Sequence, residues 1–181
     1  MIIHLCLERQ NKYNSKNNRY KHLLYYIFML LVLDKSNIIK ENICILNKTK
    51  NNIINNGYFY RIFYNCSSLN INGIYISFKL KNFKIDNYFN KYKCIFSQDE
   101  NKEIIEFLKN IEKYIMNKSF FEGLDGLYRI EEQLSQNYIK IYKNENINLN
   151  TDVKNDEINF ILKISGIWSE ENQYGLTFRF T

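Results

Sequence analysis

Cations and aromatic rings interleave between residues 57 and 95. Arg61, Lys79, Lys81, Lys84, Lys91 and Lys93 stand against a single acid, Asp86, with Tyr58, Tyr60, Tyr75, Tyr88 and Tyr92 among them. Single-stranded nucleic acids are held by these two ingredients: cations that follow the phosphates, and flat rings that stack on bases. Stacking contributes ~1–3 kcal/mol per base, so two or three rings matter. The expected binding residues are Arg61, Tyr75, Lys79, Lys81, Lys84, Lys91 and Lys93. The competing explanation is an ordinary sheet whose exposed face carries the Lys and Tyr that coding bias supplies. Trp168 is a further platform candidate, although a Trp beside a tight turn is more often half-buried packing.

Catalytic chemistry is sparse elsewhere. The chain contains no Gly-rich phosphate loop ending in Lys-Ser/Thr, no GxSxG and no HExxH. Its two histidines, His4 and His22, lie in the first 50 residues, so the remainder lacks the usual general base and the commonest metal ligand. Glu122 and Asp125 flank Gly123, and Glu131 and Glu132 follow. Such a cluster can hold a divalent cation; a solvated helix end and turn is the better explanation. Cys6, Cys44, Cys66 and Cys94 are separated by 38, 22 and 28 residues, which matches no zinc or CxxC pattern. They read as reduced thiols in a reducing compartment. The expectation is a protein without enzymatic activity, metal or cofactor.

At 181 residues, the chain suits one domain. Hydrophobic residues at 45% and aromatics at 16% are too many for a disordered protein. There is no Pro and no Ala, while Asn occurs 28 times. Ala and Pro have GC-rich codons, and Asn, Lys, Ile, Tyr and Phe have AT-rich ones, so an AT-rich genome accounts for the bias. Asn content is therefore not a prion-like signal here. The formal charge of +6 is unevenly spread. Residues 1–100 hold 15 Lys and Arg against 6 Asp and Glu; residues 101–181 hold 10 against 13. A basic half beside a mildly acidic half suits contact with a polyanion on one side.

The elements that must position these residues differ along the chain. Residues 1–50 read as a leader outside the fold. Within it "LLYYIFMLLVL" (23–33) is too short to span a bilayer and predicts a buried helix; a signal peptide would need a small-residue cleavage site, which is missing. "NKTKNNIINNG" (47–57) reads as a polar linker. From there a single domain, 57–181, is expected. "YFYRIFY" (58–64) and "KYKCIF" (91–96) predict strands. In "INGIYISFKLKNFKI" (71–85) Ile74, Ile76, Phe78 and Leu80 share a face opposite Tyr75, Ser77, Lys79 and Lys81; the phase then shifts to Phe83 and Ile85, as a β-bulge would make it. Ile104, Leu108, Ile111 and Ile115 recur at helical spacing within 99–118. "YIKIY" (138–142) is a short strand. Phe160–Ser165 and Tyr174–Phe180 alternate around "SEENQ" and predict a hairpin with a loop of about five residues, with Gly166 as a bulge or close approach. The expected class is α+β: a largely antiparallel β-sheet or partly open barrel with one main helix, ending in a C-terminal β-hairpin.

The stretches "YRIFYNCSSLNINGIYISF", "NKYKCIF" and "LKISGIWSEENQYGLTFRF" resemble small uncharacterised proteins of nucleocytoplasmic large DNA viruses, over residues 57–181. These viruses encode single-stranded DNA-binding proteins of OB-like fold, and a basic, β-rich chain suits that class. It departs from many of them in lacking an acidic C-terminal tail. The resemblance implies an intracellular protein of the host cytoplasm or nucleus, or of the virion. The reading is thus a non-enzymatic binder of single-stranded DNA or RNA, with no membrane role, that a homo-oligomer would also suit. The alternative is a virion structural or protein-interaction component. A third reading is a divalent-metal enzyme using Glu122, Asp125 or Glu131.

Overall fold

The computed structural model describes residues 4–6, 30–66, 69–117, 121, 123–142 and 158–181. The order of elements is β1 (His4–Cys6), β2 (Leu30–Asp34), β3 (Ile43–Ile45), β4 (Thr49–Lys50), β5 (Tyr58–Cys66), β6 (Leu69–Asn72), β7 (Ile74–Phe78), β8 (Phe83–Tyr88), β9 (Lys91–Phe96), α1 (Lys102–Met116), β10 (Asp125–Leu127), α2 (Arg129–Ser135), β11 (Tyr138–Tyr142), β12 (Phe160–Glu170) and β13 (Gln173–Phe180). The fold is α+β: a mostly antiparallel open sheet, one main helix and a C-terminal hairpin. The main path of the sheet runs β1-β2-β7-β12-β13-β11-β9-β8.

The terminal hairpin lies at the centre of this sheet. Along one side β12 pairs with β13; along the other it pairs first with β7 (Phe160–Ile164 against Phe78–Ile74) and then with β5 (Gly166–Ser169 against Arg61–Tyr58). Two glycines permit this change of partner. Gly166 follows a register shift in β12, the expected bulge, and a Cβ there would meet the Phe59 ring and lie 2.5 Å from the Tyr60 carbonyl oxygen. Gly73, between β6 and β7, has φ +88° and donates its N–H to the Ile62 carbonyl at 2.8 Å. A Cβ at Gly73 would lie 2.9 Å from the Ile164 carbonyl oxygen. The chain leaves β5 at Gly73 and joins β12, so the glycines mark a fork.

The sheet is also curled. Between β7 and β8 along the path lie β12, β13, β11 and β9. Five spacings would put β7 and β8 roughly 24 Å apart in a flat sheet. The link from Phe78 to Phe83 reaches at most about 18 Å. Ring centroids of Phe83 on β8 and Phe160 on β12 are in fact 5.2 Å apart. Phe78, Phe83, Phe160 and Phe180 meet inside the curl. Asn101 fastens the link. Its side chain accepts from the Lys81 N–H at 2.7 Å and donates to the Lys81 and Ser97 carbonyls.

α1 obeys its periodicity: Ile104, Leu108, Ile111 and Ile115 are buried. Glu112 shares that face with no exposed surface, and its carboxylate accepts from the N–H groups of Ile130 (3.0 Å) and Glu131 (2.7 Å). A buried acid on α1 thereby holds the start of α2, supplying acceptors that a helix N-terminus lacks. At the other end of α1, the Tyr174 hydroxyl donates to the Met116 carbonyl at 3.0 Å.

Five expectations are corrected. Residues 30–33 of the apolar run, with Asp34, form β2, not a helix, and pair parallel to β7; residues 23–29 lie outside the described residues. Residues 30–50 also belong to the sheet, because β3 and β4 pair with β5 while Leu33 and Ile43 are buried in the core. The linker is an ordered turn in which the Asn51 carboxamide accepts from the Ile53 and Ile54 N–H groups. The phase shift after Leu80 ends a strand instead of bulging it, with Asn82 left-handed at φ +49°. The last hairpin turns on Glu171 and Asn172, since Glu170 pairs with Gln173.

Candidate nucleic-acid interface

Side chains opposite each other on neighbouring antiparallel strands share a face. Alternation buries Leu162, Ile164, Ile139, Ile141 and Cys94, so their neighbours in sequence point outward. Three rows follow from the register. On β7, β12 and β13 the row is Tyr75, Lys163, Arg179. On β8, β9 and β11 one row is Tyr88, Lys91, Tyr142 and the next is Asp86, Lys93, Lys140.

The lysines of these rows lie over rings. Lys91 Nζ is 4.2 Å from the Tyr142 centroid, Lys93 4.4 Å from Tyr138 and Lys163 5.0 Å from Tyr75. Lys140 sits between Tyr88 (5.4 Å) and Tyr138 (5.6 Å). Such contacts orient an ammonium without neutralising it. Among the described residues, the ion pairs use Lys35, Lys84, Lys113 and Arg129. The register also sets Lys93 opposite Lys140 and Lys163 opposite Arg179. Like charges directly opposed across strands are destabilising, so this face accepts a cost to concentrate positive charge.

A shallow open groove crosses the face where, among the described residues, β11 and β13 pair only at Ile141 and Phe180. One end, about 370 Å³, takes in Lys91, Lys140, Tyr138 and α2 residues Arg129 and Glu132. The other, about 490 Å³, takes in Lys163, Ser165 and Thr177. Tyr142, Phe178 and Arg179 line both, so the two ends are continuous. Glu132 is the acid in this lining, and Arg129 binds it at 2.6 Å.

The residues expected from sequence fall into three groups. Lys91 lines the groove, and Tyr75 and Lys93 flank it on the same face. Lys84 is on that face but ion-paired with Asp86 at 3.5 Å, and Arg61 lies farther along it, opposite Gly166 beyond the bulge. Lys79 and Lys81 do not join them. They occupy the link after β7, and Lys81 lies close enough to Glu103 to help hold its carboxyl below the usual range, after the larger effect of hydrogen-bonded Lys35. Sequence reasoning missed Lys140, Lys163, Arg179, Tyr138 and Tyr142. Alternation in "YIKIY" and "FILKIS" would have put all but Arg179 outward, and Arg179 alternates with Phe178 and Phe180. The charged halves of the chain interleave in space: β9 pairs with β11, and β5 and β7 pair with β12. The positive face therefore draws on both.

The remaining described candidates lie away from the groove. Trp168 is half-buried over Gly175, where a Cβ would lie 2.9 Å from its Cζ2. Glu131 pairs with Lys113 at 2.9 Å, Asp125 is exposed in β10, and Glu122 lies outside the described residues. Among the described residues no three His, Cys, Asp or Glu side chains come together as metal ligands. Cys44, Cys66 and Cys94 are free thiols, and burial pushes Cys94 up to about 12. No described helix is long and apolar enough to cross a membrane. Compared with family models, curated proteins and solved structures, the chain finds no match.

Proposed function

We propose that the protein binds single-stranded DNA or RNA along the groove and acts by binding, not by catalysis. One observation carries the reading: cations are directly opposed in register on an exposed sheet face, over rings. An anionic polymer would relieve that repulsion, and bases could stack on Tyr138, Tyr142 or Tyr75. The reduced thiols suit an intracellular setting, and the viral resemblance of residues 57–181 suits the same role.

The test is anisotropy of labelled single-stranded oligonucleotides across a salt series. Lys140→Ala with Lys163→Ala should weaken binding and flatten the log–log salt slope by about 1.4, at ~0.7 per phosphate contact. The same double variant should melt higher than wild type, because two like-charge oppositions disappear. Lys79→Ala with Lys81→Ala reports whether the path extends to the β7–β8 link. Wild-type protein that retains no single strand at about 50 mM salt, where phosphate contacts are strongest, would end this reading.

A further inference from the structure

The β8–β9 hairpin turns on Phe89 and Asn90. Phe89 has φ +51°. A bulky side chain is disfavoured there by clash with its own backbone, whereas Gly is free and Asn tolerates it. The other described non-glycine residues with positive φ are Asn56, Asn82 and Asn137. Among the described residues, glycine or asparagine thus stands at every position of positive φ except Phe89. Nor does burial compensate. Phe89 is 88% exposed. Its ring meets Tyr88 edge-on, with centroids 5.1 Å apart at 86°. Tyr88 is also exposed, stands opposite Lys91 and lies 5.4 Å from the Lys140 ammonium. Lys91 and Lys140 both line the groove. A strained and solvent-facing aromatic pair therefore stands beside one end of the cationic groove.

We infer that Phe89 is a base-stacking residue, whose exposed ring receives an unpaired base from the strand that the groove cations hold. So exposed a ring offers apolar area that a base can cover, and strain maintained at an exposed position is a mark of function. This inference rests on the single-strand reading above. It adds a contact site on the hairpin tip, outside the groove lining.

Two substitutions test it with an oligothymidylate probe. Phe89→Asn removes the ring and suits the backbone. It should raise the melting temperature, weaken binding roughly five- to hundredfold and leave the salt slope unchanged, since stacking releases no counterions. Phe89→Trp should restore affinity, and the emission of the introduced indole, in excess of that from Trp168, should be quenched as the probe binds. Wild-type affinity in Phe89→Asn would overturn the stacking role while leaving the groove reading intact. So would emission that stays unquenched in Phe89→Trp, or a salt slope that falls together with affinity. No binding by wild-type protein at low salt would defeat both readings together.

Discussion

Lys163 shows why a site can hide from its own sequence. In "FILKIS" it is one cation among apolar residues, in a half of the chain with more acids than bases. Only the register reveals Arg179 opposite it on one side and Tyr75 on the other. Charge counted along a chain says nothing about faces, because alternate residues point apart. Lys91 and Lys93 were legible because their strand carries its cations two residues apart. Glu112 was not read at all. On a helix face of isoleucines it breaks the apolar stripe, and its partners are backbone N–H groups 18 and 19 residues away. Burial pushes its carboxyl above the usual range, and the two amide donors only partly offset this. With the folded value raised, the proton is held more tightly in the native state. The resulting stability is fully present below the unfolded value near 4.5 and is lost as pH rises through the folded one. Glu112→Gln should flatten that pH dependence in urea titrations, its amide oxygen still accepting from one of the two α2 N–H groups. Glu112→Ala should cost ~1–3 kcal/mol because buried donors lose their acceptor.

Among elements, length decided what could be read. The long strands β5, β12 and β13 and the helix α1 carry enough periods to declare themselves. β3, β4, β6 and β10 have two to four residues each, too few for alternation to register. β2 failed for a different reason: its residues sit in an unbroken apolar run, which periodicity cannot tell from a buried helix. The turn at Asn82 mimicked a bulge because either device shifts the alternation by one residue. The fork is the element-scale feature most exposed to test. Gly166→Ala should destabilise by ~1–3 kcal/mol, because its Cβ meets backbone at Tyr60 as well as a ring. Chemical denaturation should show the midpoint falling with an unchanged m-value.

For the whole molecule, the open sheet and its single main helix were legible, but the boundary was not. Composition marked residues 1–50 as foreign, yet three of their strands pair with β5 and β7. Compositional drift reflects codons, and pairing reflects apolar pattern; the two need not agree. Deleting residues 1–50 should therefore abolish cooperative melting and drive aggregation, since it bares hydrogen-bonding edges of β5 and β7 and removes buried Leu33 and Ile43. Circular dichroism melts and gel filtration of the truncated chain check this. A truncated chain that melts sharply as a monomer would mean that these strands only decorate the sheet.

The central place of β12 also has a consequence in time. A ribosome delivers β5 and β7 first, and β12, which joins them, much later. The 82 residues from Phe78 to Phe160 take roughly 4–16 s to add at about 5–20 residues per second. During that interval the nascent chain carries apolar strand edges that no residue yet made can satisfy. Translation speed therefore sets how long the unfinished sheet is open to wrong partners, and a pause anywhere between those residues lengthens the hazard.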